Sequence, residues 1–357
     1  MANMLDYLAW RGDILFSQLG MNDVDGLILS ELTYIRYNGI VPGDMHMPLT
    51  MRAVAQTILS LPDPLSRCRT EQDLKLLEAV AASDRFGRMG ITFYQDVFIP
   101  QEETQFAAMT FLLEDGTAFL AFRGTDSTLV GWKEDFNMAF QESVPAQRLA
   151  QEYVQQYAQA TTEPLRLGGH SKGGNLAVYA GARSTSLVQE RILAVYNYDG
   201  PGFMEQMLAE PGYQNMVPKI RTLVPQFSVF GMLLERGETH QAVQSDASGL
   251  MQHEPYSWQV QGKDFVQLED VTQSSYFLDR TLTAWLAGMT NQERGAFIEW
   301  IFHLLMQENA NHPKDILRPQ NLLAALRVIR AEEDKRRMTG AVLQELLETA
   351  RILHQNS

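Results

Sequence analysis

Ser171 lies in Gly169-His170-Ser171-Lys172-Gly173, a G-x-S-x-G run entered from the apolar segment Pro164 to Leu167 and followed by a helix-forming sequence through Arg183. A serine hydroxyl is a poor nucleophile until its setting activates it. Two glycines permit a cramped strand-to-helix turn that lifts the hydroxyl off the sheet edge, at the positive end of the following helix. The chemistry served by such a turn is acyl transfer through a serine ester. The motif alone arises by chance in roughly one chain in ten of this length, so the flanks decide. Leu165 and Leu167 fit a short buried strand, and Leu176, Ala177 and Ala180 share one helical face.

An activated serine needs a base to take its proton and an acid to orient that base, in chain order serine, acid, histidine when the serine sits on this kind of turn. Of seven histidines, His46 and His170 precede or flank Ser171, while His303, His312 and His354 fall in the helical tail, leaving His240 and His253. His253, in the turn-rich Gly249 to Pro255, is the favoured base, and His240 is the alternative. Asp199 directly ends the apolar run Ile192 to Tyr198, where a strand end delivers a reacting group. It is the favoured acid. Asp246, nearer His253 in the chain, is the alternative. The oxyanion formed on the attacked carbonyl needs donors. Lys172 supplies one from its backbone N–H, and Thr125, after Arg123-Gly124, is expected to supply the other. Trp132, Glu134 and Asp135 fit packing and helix capping, with Arg123 anchoring Asp126 or Asp135.

The elements that must hold these groups are set by periodicity. Residues 1–85 are mainly helical, with Val24, Leu27, Ile28, Leu32 and Ile35 at helical spacing. From Ile91 the period shortens, and two β-prone runs, 106–113 and 118–122, are joined by Glu114-Asp115-Gly116, a hairpin signal. Helix is expected over 145–160, 172–185 and 203–217, and strand over 165–168, 192–198 and 220–224. Strands alternating with helices predict an α/β fold with a mostly parallel sheet covered on both faces. Residues 86–271 form that core, 1–85 a helical segment packed on it, and 272–357 a helical C-terminal region with amphipathic stripes such as Phe297, Ile298, Ile301, Leu304 and Leu305.

Composition bounds the partners. The chain has 357 residues, 43 acidic against 29 basic, for a formal net charge of -14. No Lys/Arg block is available to neutralise phosphates, so nucleic acid is not an expected partner. One cysteine, Cys68, excludes an intramolecular disulfide and fits a buried structural thiol; without C-x-x-C or H-E-x-x-H spacing, no metal or other cofactor is expected. Asp6, Arg11 and Asp13 interrupt any leader-like N-terminus, and no run approaches the ~18 apolar residues of a spanning helix. A cytoplasmic protein is expected, with peripheral lipid contact open to it.

With these residues in hand, the chain resembles the lipase class 3 branch of the α/β-hydrolases. AFRGTD (121–126) is similar to that branch's F-R-G-T/S oxyanion strand, and GGHSKGGNLA (168–177) to its G-H-S-x-G-G-x-L-A elbow. It resembles more closely the bacterial, lipase-like Mbeg1-like family, through NYDGPGF (197–203) and GLMQHEPYSWQV (249–260), over about residues 1–262. The resemblance implies an α/β-hydrolase fold with Ser171 as nucleophile, Thr125 as oxyanion residue and His253 as base. One departure is that fungal-type class 3 lipases carry their aspartate after the strand that here is 220–224, where this chain has Ser228. Asp199, one strand earlier, is the natural substitute. The expected function is hydrolysis of a small-molecule or lipid ester. Acyl transfer or thioester cleavage on the same residues, and an inactive hydrolase-fold binding module, are the alternatives.

Overall fold

In the computed structural model, residues 1–45, 47–125, 134, 137–138, 141–277 and 280 are described. The amphipathic stripes expected beyond residue 280, together with His46, Asp126, Trp132 and Asp135, lie outside them.

Before the long strands come four helices, α1 (Met4–Arg11), α2 (Asp23–Leu32), α3 (Met51–Leu59) and α4 (Glu71–Ala82), with the short turn α5 (Asp84–Gly87). Asn22 starts α2 by accepting from the N–H groups of Val24 and Asp25, while Asp25 reaches back to the Asn22 N–H. This reciprocal cap satisfies donors that a helix start otherwise leaves unpaired. Thr70 and Asp73 do the same for α4.

The strands are β1 (Leu49–Thr50), β2 (Gly90–Ile99), β3 (Thr104–Leu112), β4 (Ala118–Phe122), β5 (Leu165–His170), β6 (Ile192–Tyr198), β7 (Ile220–Pro225) and β8 (His240–Val243). Then come β9 (Val260–Gln261) and β10 (Asp264–Phe265), a separate ribbon, and β11 (Gln267–Leu268). The main sheet runs β1-β2-β3-β4-β5-β6-β7-β8-β11. Pairing is antiparallel from β1 to β4, parallel from β4 to β8, and antiparallel again at β11. The β3–β4 hairpin turns at Gly116, whose φ of 79° suits glycine.

Alternation along the strands feeds two cores. Met109, Phe111, Phe119, Ala121, Tyr196 and Tyr198 face the helices of residues 1–85. Ala108, Leu120, Phe122, Leu167 and Val195 face α6 (Pro145–Ala160) and α7 (Lys172–Ala182). Period-2 side chains that are apolar on both sides make a sheet buried on both faces. Each fully buried Leu, Phe or Val contributes roughly 1.5–3 kcal/mol of transfer free energy, so both layers fix the sheet. The architecture is α/β, a mostly parallel central sheet flanked by helices, and parallel pairing from β4 to β8 sends the C-terminal ends of β4, β5, β6 and β7 to one edge.

Candidate active site

At that edge β5 ends in Ser171. Its φ is 57° and ψ -132°, backbone that a residue with a Cβ adopts only under strain of about 1–3 kcal/mol. The strain is held from both sides. Ser171 N–H still donates to Tyr198 O at 2.8 Å, and a Cβ on Gly169 would collide with the Gly173 backbone, one on Gly173 with the Phe122 carbonyl. No larger residue fits either glycine position. Ser171 is the N-cap of α7, yet its side chain makes no capping bond, so the hydroxyl stays available.

Asp199 ends β6 in the same manner, with φ 52° and its N–H on Leu223 O at 2.8 Å. Because His170 pairs with Tyr198 in the sheet, Ser171 and Asp199 leave adjacent strands side by side. The Asp199 carboxylate is fully buried, and His253 Nδ1–H donates to its Oδ2 at 2.6 Å. Ser228 Oγ–H donates to Oδ1 at 2.5 Å. Ser228 thus binds the very carboxylate expected to substitute for an acid at its own position, because the ends of β6 and β7 adjoin. The His253 ring packs against those of Phe230 and His170, with centroids 4.5 and 4.6 Å away. Three and two residues before it, Leu250 and Met251 are exposed, at 59% and 63%.

Gly124 brings the loop after β4 against this turn: a Cβ there would meet Tyr34 Oη, His170 O and the Ser171 Cβ. Thr125 follows directly. The other expected oxyanion residue, Lys172, is buried, and its ammonium donates to Gln105 O at 2.9 Å, Gln105 Oε1 at 3.0 Å and Glu134 Oε2 at 2.9 Å. Glu134 Oε1 accepts from Ala146 N–H in the first turn of α6 at 2.9 Å. Glu134 therefore does cap, but it also neutralises Lys172, a partner for which neither residue's spacing gives a signal.

The two alternative residues have contacts of their own. Asp246 accepts from the Met1 ammonium at 2.9 Å and from Gln259, whereas His253 Nδ1 bonds Asp199. His240 opens β8 with Nε2 3.6 Å from Asp270 Oδ1, its pKa lowered by burial and by Arg236. Arg123 pairs with Asp96 Oδ1 at 2.7 Å, a β-strand carboxylate that approaches it across β3; Asp126 and Asp135, its expected partners, lie outside the described residues. Cys68 is half-buried, which together with Asp73 pushes its thiol up to about 11.

Sequence reasoning misses His170. Chain order discards it, yet its ring is buried and its Nε2 lies 2.9 Å from the His253 carbonyl. Surface cavities of about 410 and 460 Å³ have neither Ser171, His253 nor Asp199 in their linings, so neither identifies a substrate site. No helix among the described residues is long and apolar enough to cross a membrane.

The sequence matches the Mbeg1-like family over residues 80–303, well over half of the chain. The chain belongs to the Mbeg1-like family. The match starts later and ends later than the resemblance read from motifs, which spans about residues 1–262. Among curated proteins, none matches. Similar solved structures include a triacylglycerol lipase whose catalytic centre is described as a serine protease triad, at 15% identity over 60% of this chain and 77% of that one, TM-score 0.38. The lipase of Rhizomucor miehei in its propeptide complex aligns at 15% over 69% and 82%, TM-score 0.35, and M37 lipase at 11% over 57% and 68%, TM-score 0.35. Overlaps this loose say nothing about individual residues in this family member.

Proposed function

We propose that the protein is a serine hydrolase that cleaves carboxylic esters, with Ser171 as nucleophile, His253 as base and Asp199 as the orienting acid. The observation that carries this is the 2.6 Å bond from His253 Nδ1 to a fully buried Asp199, on the loop beside a strained, uncapped Ser171. With Nδ1 occupied, Nε2 is the nitrogen left to accept the Ser171 proton.

As Ser171 Oγ attacks the ester carbonyl, its proton passes to His253 Nε2, and the buried carboxylate of Asp199 stabilises the imidazolium. The Lys172 N–H and Thr125 donate to the developing oxyanion. Collapse expels the alcohol, which takes the proton from Nε2, and leaves an acyl ester on Ser171. Water, deprotonated by His253 in turn, releases the acid. The exposed Leu250 and Met251 beside His253 favour an acyl or alcohol group with apolar length. Asp199→Asn, which keeps the shape and leaves His253 in the wrong tautomer, should lower kcat on p-nitrophenyl esters by about 10⁴. Unchanged kcat in that variant excludes Asp199 as the acid.

A further inference from the structure

A buried polar chain connects residues 1–85 to the backbone of His253. His170 Nε2 stands 2.9 Å from the His253 carbonyl, which can only accept, so Nε2 carries a proton. The other ring nitrogen, Nδ1, faces Tyr34 Oη at 3.3 Å and Glu31 Oε1 at 3.2 Å. Glu31 ends α2 fully buried, and its Oε1 has no conventional hydrogen-bond partner if the group is ionised. A bare imidazole nitrogen and a carboxylate oxygen are both acceptors. Tyr34 Oη–H can donate to Nδ1, but two bare acceptors 3.2 Å apart repel, and a proton on one of them turns that contact into a bond.

The surroundings decide which one holds it. His170 is held well below its ordinary pKa by burial, by the His253 ring and by Arg69, so a second proton on it is disfavoured. Glu31 is pushed up to about 8, first by burial and then, against the pull of Arg69, by Asp73. Arg69 approaches Glu31 at 3.3 Å, Glu254 at 3.2 Å and Asp73 at 3.9 Å. One guanidinium serves three carboxylates. Tyr256, which donates to Asp73, Tyr34, under the Arg69 guanidinium, and His253, whose positive charge when protonated pulls the Glu31 pKa down, also face Glu31.

We propose that Glu31 is a positioning residue: as a neutral acid it donates to His170 Nδ1, fixing the Nε2–H tautomer that grips the His253 carbonyl and so aims the His253 ring. This rests on His253 being the base. The neutral pair also keeps a second cation away from the imidazolium formed on His253 during turnover. When Glu31 ionises, its donor is lost, two acceptors face each other, and the grip loosens.

The full chain, labelled with ¹⁵N-histidine, tests this without needing activity. His170, assigned by the signals lost in His170→Phe, should be a neutral Nε2–H tautomer at pH 7 and change as pH passes about 8. In Glu31→Gln, whose amide N–H donates in the carboxyl's place, that change should vanish while kcat stays within about threefold and activity extends to higher pH. Glu31→Ala should lose up to about tenfold in kcat with KM little altered, the worth of one hydrogen bond; if it does not fold, the Gln variant still decides. An Nδ1–H or doubly protonated His170 at pH 7, or a transition that persists in Glu31→Gln, overturns the proposal. The expected tautomer in a wild-type protein whose Ser171 never reacts with a fluorophosphonate overturns His253 as base, and the positioning role with it, while the Glu31–His170 bond stands.

Discussion

Ser171 is flanked in the chain by two buried polar side chains, and they are held in opposite ways. Lys172 points to an interior where its three N–H donors meet three acceptors, one of them the Glu134 carboxylate, itself bonded to Gln105 N–H and Ala146 N–H. His170 points to the helices of residues 1–85, where Glu31, Tyr34 and Arg69 surround it. The first flank is an ion pair with its bonds made, and it fixes the backbone N–H proposed for the oxyanion. The second is a neutral, titratable contact, and it holds the loop of the proposed base. Rigid charge serves where geometry must not change, and a proton-dependent bond sits where the site meets a separate layer of the fold.

The comparison breaks most severely at Glu134. Glu134→Ala strands a buried ammonium, and removal of one partner of such a pair costs about 3–5 kcal/mol. Urea unfolding at pH 7 should show that loss; a change under about 1 kcal/mol would mean that the Lys172 flank is not held by charge.

Glu31→Gln sharpens the other side with a smaller effect and a definite sign. The Glu31 pKa is raised from 4.5 to about 8 in the folded chain. Between those values the unfolded chain has released a proton that the folded chain keeps, so wild-type stability falls as pH rises through that window. Glutamine has no such dependence. The stability of Glu31→Gln relative to wild type should therefore grow between pH 5 and pH 8, by roughly 2–4 kcal/mol at 1.36 kcal/mol per unit. Parallel stability curves for the two proteins would place Glu31 among ordinary carboxylates.

The two flanks also differ in how much of them the sequence discloses. The order of strands and helices from Ile91 to Val224 is legible because hydrophobic period and turn residues are local signals, and the strand expected over 192–198 is β6 to its last residue. Ser171, Asp199 and His253 are legible as candidates because strand ends and chain order restrict where reacting groups stand. The same chain-order rule sets His170 aside, since it admits only residues beyond the serine. The partners of His170 come from distant segments: Arg69 and Glu254 are 185 positions apart, and no spacing marks such a pair. Glu134 reads as a cap, which it is, but its second oxygen reaches Lys172 across 38 positions. Nearness in the chain favours Asp246 for His253, whereas parallel strands bring Asp199 there from 54 positions away.

The central claim is that Ser171 is an activated nucleophile. Intact-mass and peptide-mapping measurements after exposure to a fluorophosphonate test it directly. The wild-type chain should take up one adduct, on Ser171, with labelling abolished in Ser171→Ala and slowed by at least about 10³ in His253→Ala. An unlabelled wild-type protein, or labelling that survives Ser171→Ala, would contradict it.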